Sequence, residues 1–129
     1  MQITLSSIFV EDQEHALQFY TEVLGFEKKH DIPMGEFRWL TVTSPEGISG
    51  VELVLEPMAF PPARTYQKAL YDAGIPITAF MSSDIHAEFK RLKARGVEFR
   101  GEPTNMGPLI IVLFEDTCGN LINLVQPLE

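Results

Sequence analysis

A single cysteine, Cys118, stands in the 129 residues. That excludes an internal disulfide and zinc sites built from paired cysteines, and the helical His-x-x-x-His spacing is missing as well. A lone thiol suits a reducing compartment, so a cytoplasmic address is expected. Basic residues are scarce: ten Lys and Arg against 18 Asp and Glu leave a formal net charge of -8. Such a chain repels the phosphate backbone and anionic lipid, so neither nucleic acid nor a membrane surface is expected as a partner, and a small molecule or another protein is. No apolar run approaches the roughly 20 residues that a bilayer-spanning helix needs. The opening residues MQITLSSIFV carry no basic region ahead of an apolar one, so a soluble, unprocessed chain is expected. Glycine-rich phosphate loops, a Gly-x-Ser-x-Gly elbow and basic stripes are also missing.

What is present can form a core. At 45% hydrophobic, the chain falls in the range of one domain that needs neither disulfide nor metal staples. Residues 2–10 alternate roughly with period two and predict a strand. Asp12 can cap a helix in which Ala16, Leu17, Tyr20, Val23 and Leu24 recur at helical spacing up to Gly25. Strands are predicted over 26–31, 37–43 and 51–56. A connecting helical segment follows the Pro61-Pro62 pair and closes at Gly74. The order then repeats: a strand over 77–82, a helix from Asp84 to 95 closed by Gly96, a strand over 97–100, and a hairpin of 109–114 with 121–126. Sliding the chain on itself by roughly 71 or 72 residues lays Asp12 on Asp84, Gly25 on Gly96, Glu27 on Glu98 and Glu52 on Asn123. The expected organisation is one domain over 1–129, with a first module at about 1–57, a connecting helix at about 58–74 and a second module at about 75–129.

Two stretches carry a family resemblance. Val10-x-Asp12 leads into Ala16-Leu17-x-Phe19-Tyr20-x-x-Val23-Leu24-Gly25-Phe26, and Phe114-x-Asp116-x-x-Gly119-Asn120 stands near the end. Together with the repeat, they resemble the vicinal-oxygen-chelate superfamily of glyoxalases, bleomycin-resistance proteins and extradiol dioxygenases, over essentially the whole chain. The resemblance implies an α+β fold of two βαβββ modules whose curved mixed sheets surround a central cleft. It also implies a homodimer, since such proteins usually pair and the sheets leave edges to cover.

In metal-dependent members of that superfamily, the first and last strands of each module supply the ligands. Carried over residue by residue, those positions fall on Leu5, Glu52, Thr78 and Asn123. Neither Leu5 nor Thr78 replaces a histidine, so no metal and no cofactor is expected. His15 and His86 fall early in the two helices, and His30 near the end of the second strand; all three are expected at the surface. Cys118 is expected to be an inert turn residue.

The polar residue of most interest is Glu52. Alternation puts Glu52, Val54 and Glu56 on one face of their strand and Val51, Leu53 and Leu55 on the other. If the odd-numbered residues pack under the helix, Glu52 and Glu56 look into the cleft, with Asn123 in the equivalent place of the second module. Trp39, Phe37, Phe80 and Met81 could wall a pocket, and Tyr66 and Met106 could close its mouth. The expected ligand-binding set is therefore Leu5, Trp39, Glu52, Glu56, Thr78, Phe80 and Asn123. The expected function is binding of a small apolar or amphipathic molecule. The alternative is an enzyme of that superfamily that works without a metal or with an atypical one, such as a lyase, isomerase or dioxygenase-like activity; in the metal-independent form Glu52 is the general base and Asn123 and Thr78 orient the substrate.

Overall fold

The structure, a computed structural model, describes residues 1–128. The chain divides into two compact units, 1–66 and from Gln67 onward. Each holds a four-stranded mixed sheet, and the two have the same topology.

In the first unit, β1 (Leu5–Val10) leads to α1 (Gln13–Gln18), then β2 (Glu27–Met34), β3 (Phe37–Thr43) and β4 (Glu52–Pro57). The strand order is β1-β4-β3-β2, with β1 parallel to β4 and the other pairs antiparallel. Asp12 caps α1 as expected: its Oδ1 accepts from the His15 N–H at 3.0 Å. The predicted helix does not continue in α form to Leu24. From Phe19 to Val23 it is a π-helical turn, with the Leu24 N–H reaching the Phe19 carbonyl. The Thr21 hydroxyl donates to the Leu17 carbonyl at 2.6 Å, a side-chain bond that competes with the backbone ladder in this turn. Gly25, at φ +89, then reverses the chain in the left-handed region that disfavours any other residue.

Ala16, Phe19, Tyr20 and Leu24 are buried, as are Ile8, Val10, Leu40, Val42 and Leu55 on the sheet face beneath them. Fully burying a side chain such as Tyr20 or Leu55 contributes roughly 1.5–3 kcal/mol, so this layer is the main cohesion of the unit. One polar group lies inside it. The β3–β4 ladder holds register at Thr41↔Val54 and Val42↔Leu53. Where its pairing ends, the Gln13 carboxamide takes over. Its Nε2 donates to the Arg38 and Leu55 carbonyls at 2.8 and 2.9 Å, and its Oε1 accepts from the Arg38 N–H at 3.1 Å. One side chain thus satisfies three backbone groups that would otherwise be orphaned. On the same side, the Arg38 guanidinium forks onto Asp31 (3.0 and 2.8 Å) and reaches Glu14 (2.8 Å), joining β3, β2 and α1. Its hydrogen bonds hold the Asp31 carboxyl below the usual carboxylate range.

Strand β2 runs to Met34 instead of ending near Asp31, and it includes Pro33. It lies at the sheet edge, where a missing N–H costs no ladder bond. It also carries an irregularity in its pairing. Lys28 pairs with Val42 and His30 with Thr41, leaving Lys29 as the extra residue of a bulge. Because side chains alternate, this insertion puts His30 on the face opposite α1; unbroken pairing would have turned it toward the helix.

Helix α2 (Pro61–Asp72) crosses the division between the units. The second unit continues with β5 (Thr78–Met81), α3 (Ile85–Ala94), β6 (Thr104–Met106), β7 (Leu109–Glu115) and β8 (Leu121–Pro127), in the order β5-β8-β7-β6. Asp84 caps α3 by accepting from the Ala87 N–H at 3.1 Å. The expected strand over 97–100 is only a bridge, Phe99 with Phe114. The edge strand proper is β6, which falls outside every strand that the sequence predicts. Residues 98–100 make two backbone bonds to β7, and then Gly101 and Pro103 break the run, Pro103 having no N–H to offer.

The hairpin between β7 and β8 is built on Asp116, which is fully buried. Its Oδ1 accepts from the Cys118 and Asn120 N–H groups at 2.8 and 3.0 Å, and its Oδ2 from Asn120 Nδ2 at 2.8 Å. Gln67 of α2 donates to Asn120 Oδ1 and to the Cys118 carbonyl. Gly119 lies against that same side chain, and a Cβ there would come within 2.8 Å of Gln67 Oε1. Cys118 is a buried free thiol.

Candidate functional site

The register assigns each expected site residue to a face. In the first unit Leu5 pairs with Glu52, Ser7 with Val54 and Phe9 with Glu56, and Thr41 of β3 lies opposite Val54. Leu5, Trp39, Glu52 and Glu56 therefore share the face opposite α1, together with Phe37. Val54 and Thr41 are buried there, Trp39 and Glu56 are half-buried, and Leu5 is exposed.

His30 joins this group and had been expected at the surface. Its backbone N–H donates to the Thr41 hydroxyl at 3.1 Å, and its Nε2 stands 3.8 Å from Glu52 Oε1. The two side chains are 43% and 21% exposed. No local pattern in the sequence announces this pairing, because it depends on the bulge at Lys29.

In the second unit the face opposite α3 carries Asn123. Its partners across the sheet are Ala79 on β5 and Leu113 on β7, and the same face carries Met81, Ile111 and Val125. Asn123 Oδ1 is buried and has no hydrogen-bond partner among the described residues. Thr78 and Phe80 do not accompany it. They pair with Ile122 and Leu124 and so point to the other face, which belongs to α3. There the Ile85 N–H donates to Gln126 Oε1 at 2.7 Å, and Phe114 meets Phe99, which in turn packs on Phe89. The residue of β5 beside Asn123 is Ala79, one position along, and in a strand one position is the other face. At the far end of the Asn123 face, Glu115 accepts from the Tyr71 hydroxyl at 2.7 Å, a bond that raises the tyrosine pKa. Tyr66 and Met106 are exposed.

These residues do not fit a divalent metal. A site for one needs three or four N, O or S donors converging at about 2 Å. The first unit offers Glu52 with His30 and the non-donor Leu5. The second offers an amide. Among the described residues no group of three or more His, Cys, Asp or Glu side chains comes together. What the faces provide is apolar surface with a few polar atoms, which suits reversible binding of an organic molecule.

Comparison with known proteins agrees with this architecture. The chain is 55% identical to the uncharacterized protein YurT of Bacillus subtilis (strain 168), over 98% of this chain and 99% of that one. Among solved structures it is similar to UcmS2, with a TM-score of 0.82 and 30% identity over 97% of both chains. It is also similar to TnmS3, an antibiotic binding protein from Streptomyces sp. CB03234, with a TM-score of 0.77 and 32% identity over 98% of this chain and 96% of that one. The profile of the Glyoxalase/Bleomycin resistance protein/Dioxygenase superfamily matches residues 2–124, and the chain belongs to that superfamily.

Proposed function

We propose that this protein binds a small apolar or amphipathic organic molecule without transforming it, as a sequestering member of its superfamily. The observation that carries the proposal is Asn123 Oδ1, a buried acceptor with no partner among the described residues, on the same sheet face as Ala79, Leu113 and Val125. A buried polar atom left unpaired costs about 1–3 kcal/mol, and a ligand N–H or O–H donated to it recovers that cost on binding. The likeness to an antibiotic binding protein supports the same class of ligand.

N-phenyl-1-naphthylamine, a neutral apolar fluorophore with one N–H donor, tests this. Its fluorescence is expected to rise saturably at one molecule per chain, with Kd roughly in the micromolar range, about -8 kcal/mol. A linear, unsaturable response would refute the proposal.

A second reading draws on the Glu52–His30 pair. An acid–base enzyme needs two titratable groups close together, and these stand 3.8 Å apart. In that reading Glu52 is the general base of a metal-independent lyase, isomerase or dioxygenase-like activity.

The proposal includes a cytoplasmic address, suited to a lone thiol, and a homodimer. Strands β1 and β2 of one sheet and β5 and β6 of the other end it with unpaired edges, which association would cover. Light scattering at micromolar concentration is expected to give twice the mass of one chain; a monomer across ordinary salt concentrations would contradict it.

A further inference from the structure

We propose that the His30–Glu52 pair is a hydroxyl-binding anchor, so that the preferred ligand is an apolar molecule carrying an alcohol or phenol group. The inference rests on the small-molecule reading and gives it a chemical class. At 3.8 Å, His30 Nε2 and Glu52 Oε1 are too far apart for a direct hydrogen bond, which needs about 2.7–3.2 Å. Among the described residues neither side chain has another hydrogen bond or ion pair. One oxygen atom set beside the pair, off the line joining them, reaches both at about 2.8 Å. The two side chains can therefore hold the same oxygen atom from one side.

The chemistry of the two groups selects that atom. A carboxylate only accepts, so the ligand must bring a proton to Glu52. The imidazole Nε2–H donates, so the same atom must offer a lone pair to His30. A hydroxyl does both. A ketone or ether has no proton for Glu52, and a carboxylate or phosphate meets a like charge there. Leu5, Trp39 and Val54 stand on neighbouring positions of this face, beside the polar Ser7, Thr41 and Glu56, so the part of the ligand that meets those three apolar side chains is itself apolar. The bulge at Lys29 makes the arrangement possible by turning His30 to this side.

The test compares 2-naphthol with naphthalene by calorimetry, since the two differ by one hydroxyl. Wild type is expected to bind 2-naphthol at least about tenfold more tightly, the effect of a hydrogen bond to a charged group. The ratio is expected to fall to about two or less in Glu52→Gln and in His30→Leu. In the unmutated protein, the His30 Nε2 resonance is expected to move on adding 2-naphthol and to stay in place with naphthalene. Equal affinity for the two compounds, or a ratio that survives both substitutions, would overturn the anchor while leaving small-molecule binding intact. Failure of both compounds to bind saturably would overturn the binding reading itself.

Discussion

Asp116→Ala is expected to lower the unfolding free energy by about 3–5 kcal/mol, a large part of the roughly 5–15 kcal/mol that a domain of this size commands. The side chain is fully buried and accepts from two backbone N–H groups and from Asn120 Nδ2. Truncation leaves those donors in a site where water cannot replace the carboxyl. Each orphaned donor costs about 1–3 kcal/mol. The damage spreads, because Asn120 also accepts from Gln67, so a loosened turn frees the grip on α2. Urea unfolding monitored by circular dichroism measures the effect. A midpoint shift equivalent to less than about 1 kcal/mol would show that the turn is held by its backbone alone.

The second large effect has two signs. Asn123→Leu is expected to raise stability by about 1–2 kcal/mol and to weaken N-phenyl-1-naphthylamine binding by about tenfold or more. The stability gain follows from removing a buried acceptor that none of the described residues satisfies and substituting an apolar group of similar volume beside Leu113 and Val125. The loss of affinity follows from removing the atom to which the ligand donates. A residue kept for packing moves both quantities the same way, whereas a residue kept for binding at the expense of stability moves them in opposite directions. The urea midpoint and the fluorescence titration, made on the same preparation, decide between these. A drop in stability would assign Asn123 an ordinary structural role.

Much of this was legible before any coordinates. Asp12 and Asp84 announce helix starts, and Gly25 and Gly96 announce the stops, because caps act through bonds to residues three or four positions away. Period-two alternation in β4 put Glu52 and Glu56 on one face. The repeat placed Asn123 in the equivalent strand, on the face where the structure finds an unpartnered carbonyl. Local signals also misled. The segment over 97–100 has strand composition but pairs only briefly, and the chain spends its edge strand on Thr104–Met106, whose composition looks like a loop. The outcome there depends on where Gly101 and Pro103 let the chain rejoin β7.

The division between the two kinds of information follows the range of the forces. From the sequence alone came the duplicated strand-helix-strand order, the caps and the parity of each strand, consequences of interactions within a few residues, while the α+β class was implied by the family resemblance. Tertiary pairing decided which parity faces which side. One extra residue at Lys29 turned His30 toward Glu52. The one-residue offset of β5 against β8 sent Thr78 and Phe80 under α3 and left Ala79 beside Asn123. Gln13, an unremarkable polar residue near a helix start, became the closure between β3 and β4. Register between strands far apart in the chain is a property of their mutual packing. A shift of one residue costs little in local propensity yet exchanges the faces completely, so no local pattern could have foretold it.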